Sequence, residues 1–200
     1  MVERKTRWED VEYKRVSVSS PAIEEFFECV DESYCSGGAF LARFDVTDPK
    51  VFSQALHDNY FDLNEIAHAF LNAPSARAAL PELNIKPGFE VDLFLEESTP
   101  LAWEGTLAHM LLIGGADGQL FETVDYARRV CHAFVQELVG TNWLHSYVGY
   151  DSGKWAGWFW GEEWDETFVV YDRDQVRFWL LCLTDMLDDD PPDDWVSRNG

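Results

Sequence analysis

The chain switches between a two-residue and a helical hydrophobic period several times. Val11, Tyr13, Arg15 and Ser17 alternate with Glu12, Lys14, Val16 and Val18, which predicts an amphipathic strand over 11–18. Ser19-Ser20-Pro21 reads as a helix start, because proline is preorganised for the first helical position. Ile23, Phe26, Phe27 and Val30 then share one face, and Glu24, Glu25, Glu28 and Asp31 share the other. Gly37-Gly38 ends that unit, and Ala39–Val46 has the continuous apolar texture of a buried strand.

Asp48-Pro49 opens a short second helix ending near His57. Asp62 is placed to cap a third, with Glu65 at capping-box spacing and Leu63, Ile66, Ala67, Phe70 and Leu71 as its apolar stripe. Pro74 and Pro81 bracket a further turn or two. After Lys86-Pro87-Gly88, the residues Phe89, Val91, Leu93 and Leu95 alternate with Glu90, Asp92 and Glu96, which predicts a strand. Thr99-Pro100 suits a helix through Trp103, Leu107, Met110 and Leu111, although Thr106–Ile113 fits a strand equally. Thr123–Val139 carries the clearest helical repeat, stopped by Gly140.

From Trp143 onward the chain becomes aromatic strand. Residues 143–150, 154–160 and 166–172 are separated by turn chemistry at Asp151-Ser152-Gly153 and Gly161-Glu162-Glu163. Val176, Trp179, Leu180, Leu183 and Leu187 fit a helix, but Asp185 and Asp188–Asp190 would oppose its macrodipole. A last antiparallel strand after the tight Asp172-Arg173-Asp174 link is the better reading. The pattern predicts an α+β fold: an antiparallel sheet, helices packed on one face, and a C-terminal aromatic β-meander. Residues 1–187 are expected to form one domain, and 188–200 an acidic, proline-containing tail.

Composition changes this picture in one respect. The net charge is −22 on 200 residues, yet 46% of the chain is hydrophobic and 15% aromatic, so a core can form beneath a negative exterior. Residues 21–127 hold 19 acids against four bases, and residues 151–200 hold 13 against four. Such a field repels nucleic acid and anionic membranes and speeds encounter with basic partners. The start has no apolar stretch of a signal peptide, and the longest apolar run, Leu107–Ile113, is interrupted by His109. The expectation is a cytoplasmic protein with reduced thiols at Cys29, Cys35, Cys131 and Cys182.

Catalytic and metal motifs are sparse. The chain has no G-x-S-x-G elbow and no CxxC, and its five histidines are dispersed without HExxH. Cys131 and His132 adjoin on one helix and diverge by about 100°. Gly114–Gly118 has neither the lysine nor the spacing of a phosphate loop and reads as a turn. No cofactor and no metal are expected. Glu162, Glu163, Asp165 and Glu166 among tryptophans raise the chemistry of paired carboxylates at a glycosidic bond, but adjacent acids in a turn define no carboxylate separation.

Two surfaces combine acids with aromatics, the combination in which rim charges steer a basic partner and rings anchor it. One carries Asp45, Asp48, Asp58, Tyr60, Asp62 and Glu65, with Phe61 among them. The other is the Trp158–Glu166 hairpin, carrying Trp158, Trp160, Glu162, Glu163, Trp164, Asp165 and Glu166 beside the acidic tail. Residues 158–181, WFWGEEWDETFVVYDRDQVRFWLL, with the excess acid on a compact α+β chain, resemble the small acidic immunity proteins that bacteria keep against delivered toxins. That resemblance implies a protein without chemistry of its own, which blocks a basic toxin such as a nuclease. Two alternatives stay open: a DNA mimic that inhibits a DNA-binding or defence protein, and a carboxylate enzyme using distant residues with His57 or His145. Direct nucleic-acid binding and membrane association are not expected, and homo-association would need apolar surface.

Overall fold

The structure, a computed structural model, describes residues 7–116, 123–161 and 164–186. Its strands are β1 (Tyr13–Val16), β2 (Gly38–Val46), β3 (Glu96–Ser98), β4 (Ser146–Asp151), β5 (Glu166–Asp172) and β6 (Arg177–Thr184). Its helices are α1 (Pro21–Ser33), α2 (Pro49–Asn59), α3 (Leu63–Asn72), α4 (Pro74–Ala78), α5 (Pro100–Ile113) and α6 (Val124–Val139). The strands form one antiparallel sheet in the order β1-β2-β6-β5-β4-β3. The fold is therefore α+β, the segment after Asp174 is a strand, and β4-β5-β6 is a C-terminal meander.

Helices cover both faces of this sheet, not one. The reason lies in β5 and β6, whose burial is nearly continuous and does not alternate. A strand apolar on both sides must be covered on both sides. Phe178, Leu180 and Cys182 enter one core with residues of α2, α3 and α4, including Phe52, Ile66 and Phe70. Trp179, Leu181 and Leu183 enter a second core with α1, α5 and α6, including Phe26, Trp103 and Phe134. Rings interlock in each: Phe70 stacks on Phe178 at 4.8 Å between centroids, and Phe26 on Phe134 at 4.0 Å.

Helix starts follow the local sequence. Ser20, Asp48, Asp62, Thr99 and Thr123 each accept backbone N–H bonds from the first turn of their helix, with proline in the first turn after Ser20, Asp48 and Thr99. Thr106–Ile113 is thereby helical, the continuation of a capped segment that buries Trp103, Leu107 and Leu111. Gly114 closes α5 at φ 71°; Asp117 and Gly118 of the glycine-rich turn lie outside the described residues.

Two expected strands are not strands. Residues 89–95 are extended, but only Glu96–Ser98 pair with β4. Side-chain amides of α3 replace the missing ladder. Asn72 donates to the Val91 carbonyl (2.7 Å) and accepts from the Val91 N–H (2.8 Å), while Asn64 does the same at Leu95 (3.2 and 2.7 Å). A primary amide offers the same donor and acceptor as a peptide group, so the extended chain is satisfied without a neighbouring strand. Residues 154–160 also leave the sheet. Gly157 and Trp158 donate their N–H groups to Asn84 and Leu83, and Trp155 and Phe159 enter the α3-side core. A Cβ on Gly157 would stand 2.9 Å from the Asn84 carbonyl oxygen, so this crossing requires glycine.

The α5-side end of the sheet is tied by Asp185, which is fully buried. Its carboxylate accepts from the N–H groups of Cys35 (3.2 Å), Ser36 (2.9 Å) and Ala116 (2.7 Å), joining the loops after α1 and α5 to the end of β6. Among the described residues, no helix is long and apolar enough to cross a membrane.

Candidate functional site: an acidic groove along the third helix

Helix α3 buries Leu63, Ile66, Ala67, Phe70 and Leu71, which turns Asn64, Glu65, His68 and Asn72 to its opposite side. The extended segment 89–95, held by Asn64 and Asn72, stands beside that side as a second wall. Between them runs a groove of about 720 Å³. Glu90, Asp92 and Leu93 line the far wall, and Trp8 and Glu9 close one end beside Ala73 and Pro74. Trp8 is set there by a short 3-10 turn, Trp8–Asp10, and its ring lies 5.5 Å from that of Phe52.

The groove is electrostatically one-sided. Its described lining carries four carboxylates (Glu9, Glu65, Glu90 and Asp92) and neither lysine nor arginine. The imidazole of His68 meets Glu90 across the gap, Nε2 to Oε1 at 3.2 Å. Its apolar surface comes from Trp8, Ala69, Ala73, Pro74 and Leu93. Such a cleft suits a ligand that pairs positive charge with apolar or flat surface.

The first sequence-predicted surface is brought only partly to this groove. Glu65 lines it, and Asp62 lies at the same end of α3 as its N-cap, accepting from Asn64 and Glu65 N–H. Asp48 caps α2, accepting from Lys50 and Val51 N–H, so its carboxylate is engaged in helix structure. Asp58 accepts from the Gln54 side chain at 2.9 Å and faces His57 at 3.3 Å. Asp45 sits on β2 between Arg43 (2.8 Å) and Arg177 (3.1 Å). Burial alone would raise its carboxyl pKa, but the two guanidinium groups outweigh burial and hold it below the ordinary carboxylate value.

Tyr60 is different. It is 83% exposed, and its backbone stands at φ 64°, ψ 166°, a region almost confined to glycine. The next ring, Phe61, packs on Tyr147 at 4.5 Å while staying partly exposed, so the strained turn lays one ring on the protein surface and leaves the other in solvent.

The second predicted surface is not an aromatic hairpin. Trp158 is half-buried against Phe40 and Phe159, and Trp160 and Trp164 are also half-buried. Asp165 is 1% exposed and accepts from the Thr184 hydroxyl and the Gly161 N–H, which makes it a structural tie, not a contact residue. Glu166 is half-buried beside the Tyr150 hydroxyl (3.4 Å), and burial pushes its pKa up to about 7. Glu162, Glu163 and the tail 188–200 lie outside the described residues.

Sequence reading missed Trp8, Glu9, His68, Glu90 and Asp92 as neighbours. Part of the signal was present: Asn64, His68 and Asn72 recur every four residues, a polar stripe opposite the apolar one. Nothing in local periodicity shows that residues 89–95 stand beside that stripe. Among the described residues, no three His, Cys, Asp or Glu side chains form a group able to hold a metal ion. No family model, no curated protein and no solved structure matches this chain.

Proposed function

We propose that this chain is a non-catalytic acidic binding protein that neutralises a basic protein partner, in the manner of a bacterial immunity protein blocking a toxin. The observation that carries this reading is the groove along α3, whose charged side chains are carboxylates around an aromatic and apolar floor. A net charge of −22 gives the molecule a long-range field of matching sign, which raises the encounter rate with a cationic protein. The reciprocal amide bonds from Asn64 and Asn72 fix the groove's width before any partner arrives, so little ordering cost accompanies binding.

The test is capture of partners from nuclease-treated lysate of the source cells, followed by reconstitution with each purified candidate. The expected result is one basic protein that forms a stoichiometric complex and loses its own activity on binding. Failure to find any partner whose activity changes overturns the reading. Capture of a spread of DNA-binding proteins, all released together at high salt, overturns it in favour of DNA mimicry.

A further inference from the structure

We infer that the groove along α3 seats an extended, arginine-bearing segment of the basic partner, gripped chiefly through its side chains. The inference rests on the binding function proposed above and specifies what enters the site.

Dimensions set the form of the occupant. The stretch from Asn64 to Asn72 spans about 12 Å along the helix axis, enough for about four residues of extended chain. The side chains of Asn64 and Asn72 reach from α3 to the facing backbone by direct hydrogen bonds, so the two walls stand too close for a helix about 10 Å wide to lie between them.

Hydrogen bonding sets the manner of grip. The side-chain amides of Asn64 and Asn72, the groups on α3 best able to imitate a strand edge, are already committed to Leu95 and Val91. Among the lining side chains, carboxylates keep the most acceptor capacity: Glu65 on the helix, Glu90 and Asp92 on the far wall, and, at the end, Glu9, which also pairs with Arg7 at 3.8 Å. Carboxylates on both walls match the planar fork of a guanidinium, which donates in two directions at once.

Trp8 favours arginine over lysine as well. A guanidinium is flat and weakly hydrated, and it stacks on an indole while its edge reaches carboxylates. His68 marks the point of entry: its bond to Glu90 crosses the gap, so an incoming guanidinium competes with the imidazole for that carboxylate.

The probe is the capped tetrapeptide acetyl-Leu-Arg-Leu-Arg-amide, with citrulline and lysine versions as controls, titrated into the full-length protein. The readout is the ¹H–¹⁵N indole resonance of Trp8, assigned with Trp8→Phe. Saturable movement of that resonance is expected, with affinity falling in the order arginine, lysine, citrulline. The triple variant Glu65→Gln/Glu90→Gln/Asp92→Asn should bind about tenfold more weakly, three exposed charge pairs having been removed. His68→Lys, which adds a fixed cation and leaves the carboxylates in place, should weaken binding in the same direction.

Equal affinity for the arginine and citrulline peptides, or movement confined to resonances away from Trp8, overturns the proposal. So does unchanged affinity in a triple variant whose circular dichroism matches that of the parent. The two readings fail separately. If the triple variant still captures and inhibits the natural partner, the acidic binding function stands and the groove assignment falls. If the peptide binds at Trp8 while no partner is ever inhibited, the groove stands and the inhibitor function falls.

Discussion

Asn72 and Val91 exchange two hydrogen bonds, amide to carbonyl at 2.7 Å and N–H to amide oxygen at 2.8 Å, the reciprocal pattern of facing residues in an antiparallel ladder. A helix side chain thus occupies the place of a strand. Asn72→Ala would leave a part-buried N–H and carbonyl without this partner, and a loss of about 2–3 kcal/mol is expected in urea unfolding. Amide exchange at Val91 should accelerate in the same variant. A loss below about 0.5 kcal/mol with unchanged exchange would show that solvent replaces the clamp.

Asp185 performs the same service at the other side of the sheet. Replacing it with Asn substitutes a donor for one of two acceptor oxygens that serve Cys35, Ser36 and Ala116. The expected cost is about 2–4 kcal/mol by denaturant titration. Gly115→Ala should be comparably damaging, because a Cβ there would fall 1.8 Å from Asp185 Oδ2. A Gly115→Ala protein as stable as the parent would mean that the Asp185 tie is dispensable.

Glu166 gives the fold a pH dependence of defined sign. Its folded pKa, raised by burial to about 7, lies above its ordinary value of 4.5. Below 4.5 both states are protonated. Between 4.5 and 7 the unfolded chain ionises while the folded protein keeps its proton, so this contribution to stability is lost as pH rises through about 7. Glu166→Gln should flatten the decline between pH 5 and pH 8, measured as Tm. An unchanged slope would rule out Glu166 as its source.

Tyr60 sets stability against binding. Tyr60→Gly removes a residue from a backbone region that costs on the order of 1–3 kcal/mol for a residue with a Cβ, offset in part by the greater unfolded-chain entropy of glycine. A net gain of up to about 1 kcal/mol is expected in thermal unfolding. If the exposed ring is a partner anchor, the same variant should release the partner faster, read by surface plasmon resonance. Slower or unchanged release would remove Tyr60 from the contact surface.

The helix starts were legible from residues in sequence. Ser20, Asp48, Asp62, Thr99 and Thr123 cap where a capping residue precedes an apolar repeat, since a cap acts within three residues of itself. The strand β6 was legible for a related reason: acids after Thr184 oppose a helix end and leave a strand untroubled. By contrast, the 89–95 alternation put Phe89, Val91, Leu93 and Leu95 inward, of which Val91 and Leu95 are buried, Leu93 is half-buried and Phe89 is exposed, and it could not say that amides from α3 would satisfy the backbone. Asp165 looked like surface because it stands in an acidic turn, and only the approach of Thr184 makes it interior.

The sequence by itself determined the α+β class, the antiparallel meander, the caps and the sign of the molecular field, because each follows from residue type and short-range periodicity. Tertiary structure alone decided that helices cover both faces, that Asp45 and Asp165 are spent on internal partners, and that Trp8, His68 and Glu90 share one groove. Those outcomes depend on contacts between segments far apart in the chain, such as Asp185 with Cys35 across 150 positions. Local pattern tells a side chain to face inward or outward. Which partner it meets there is set by how the layers pack, and a carboxylate is open to another molecule only where that packing leaves it accessible.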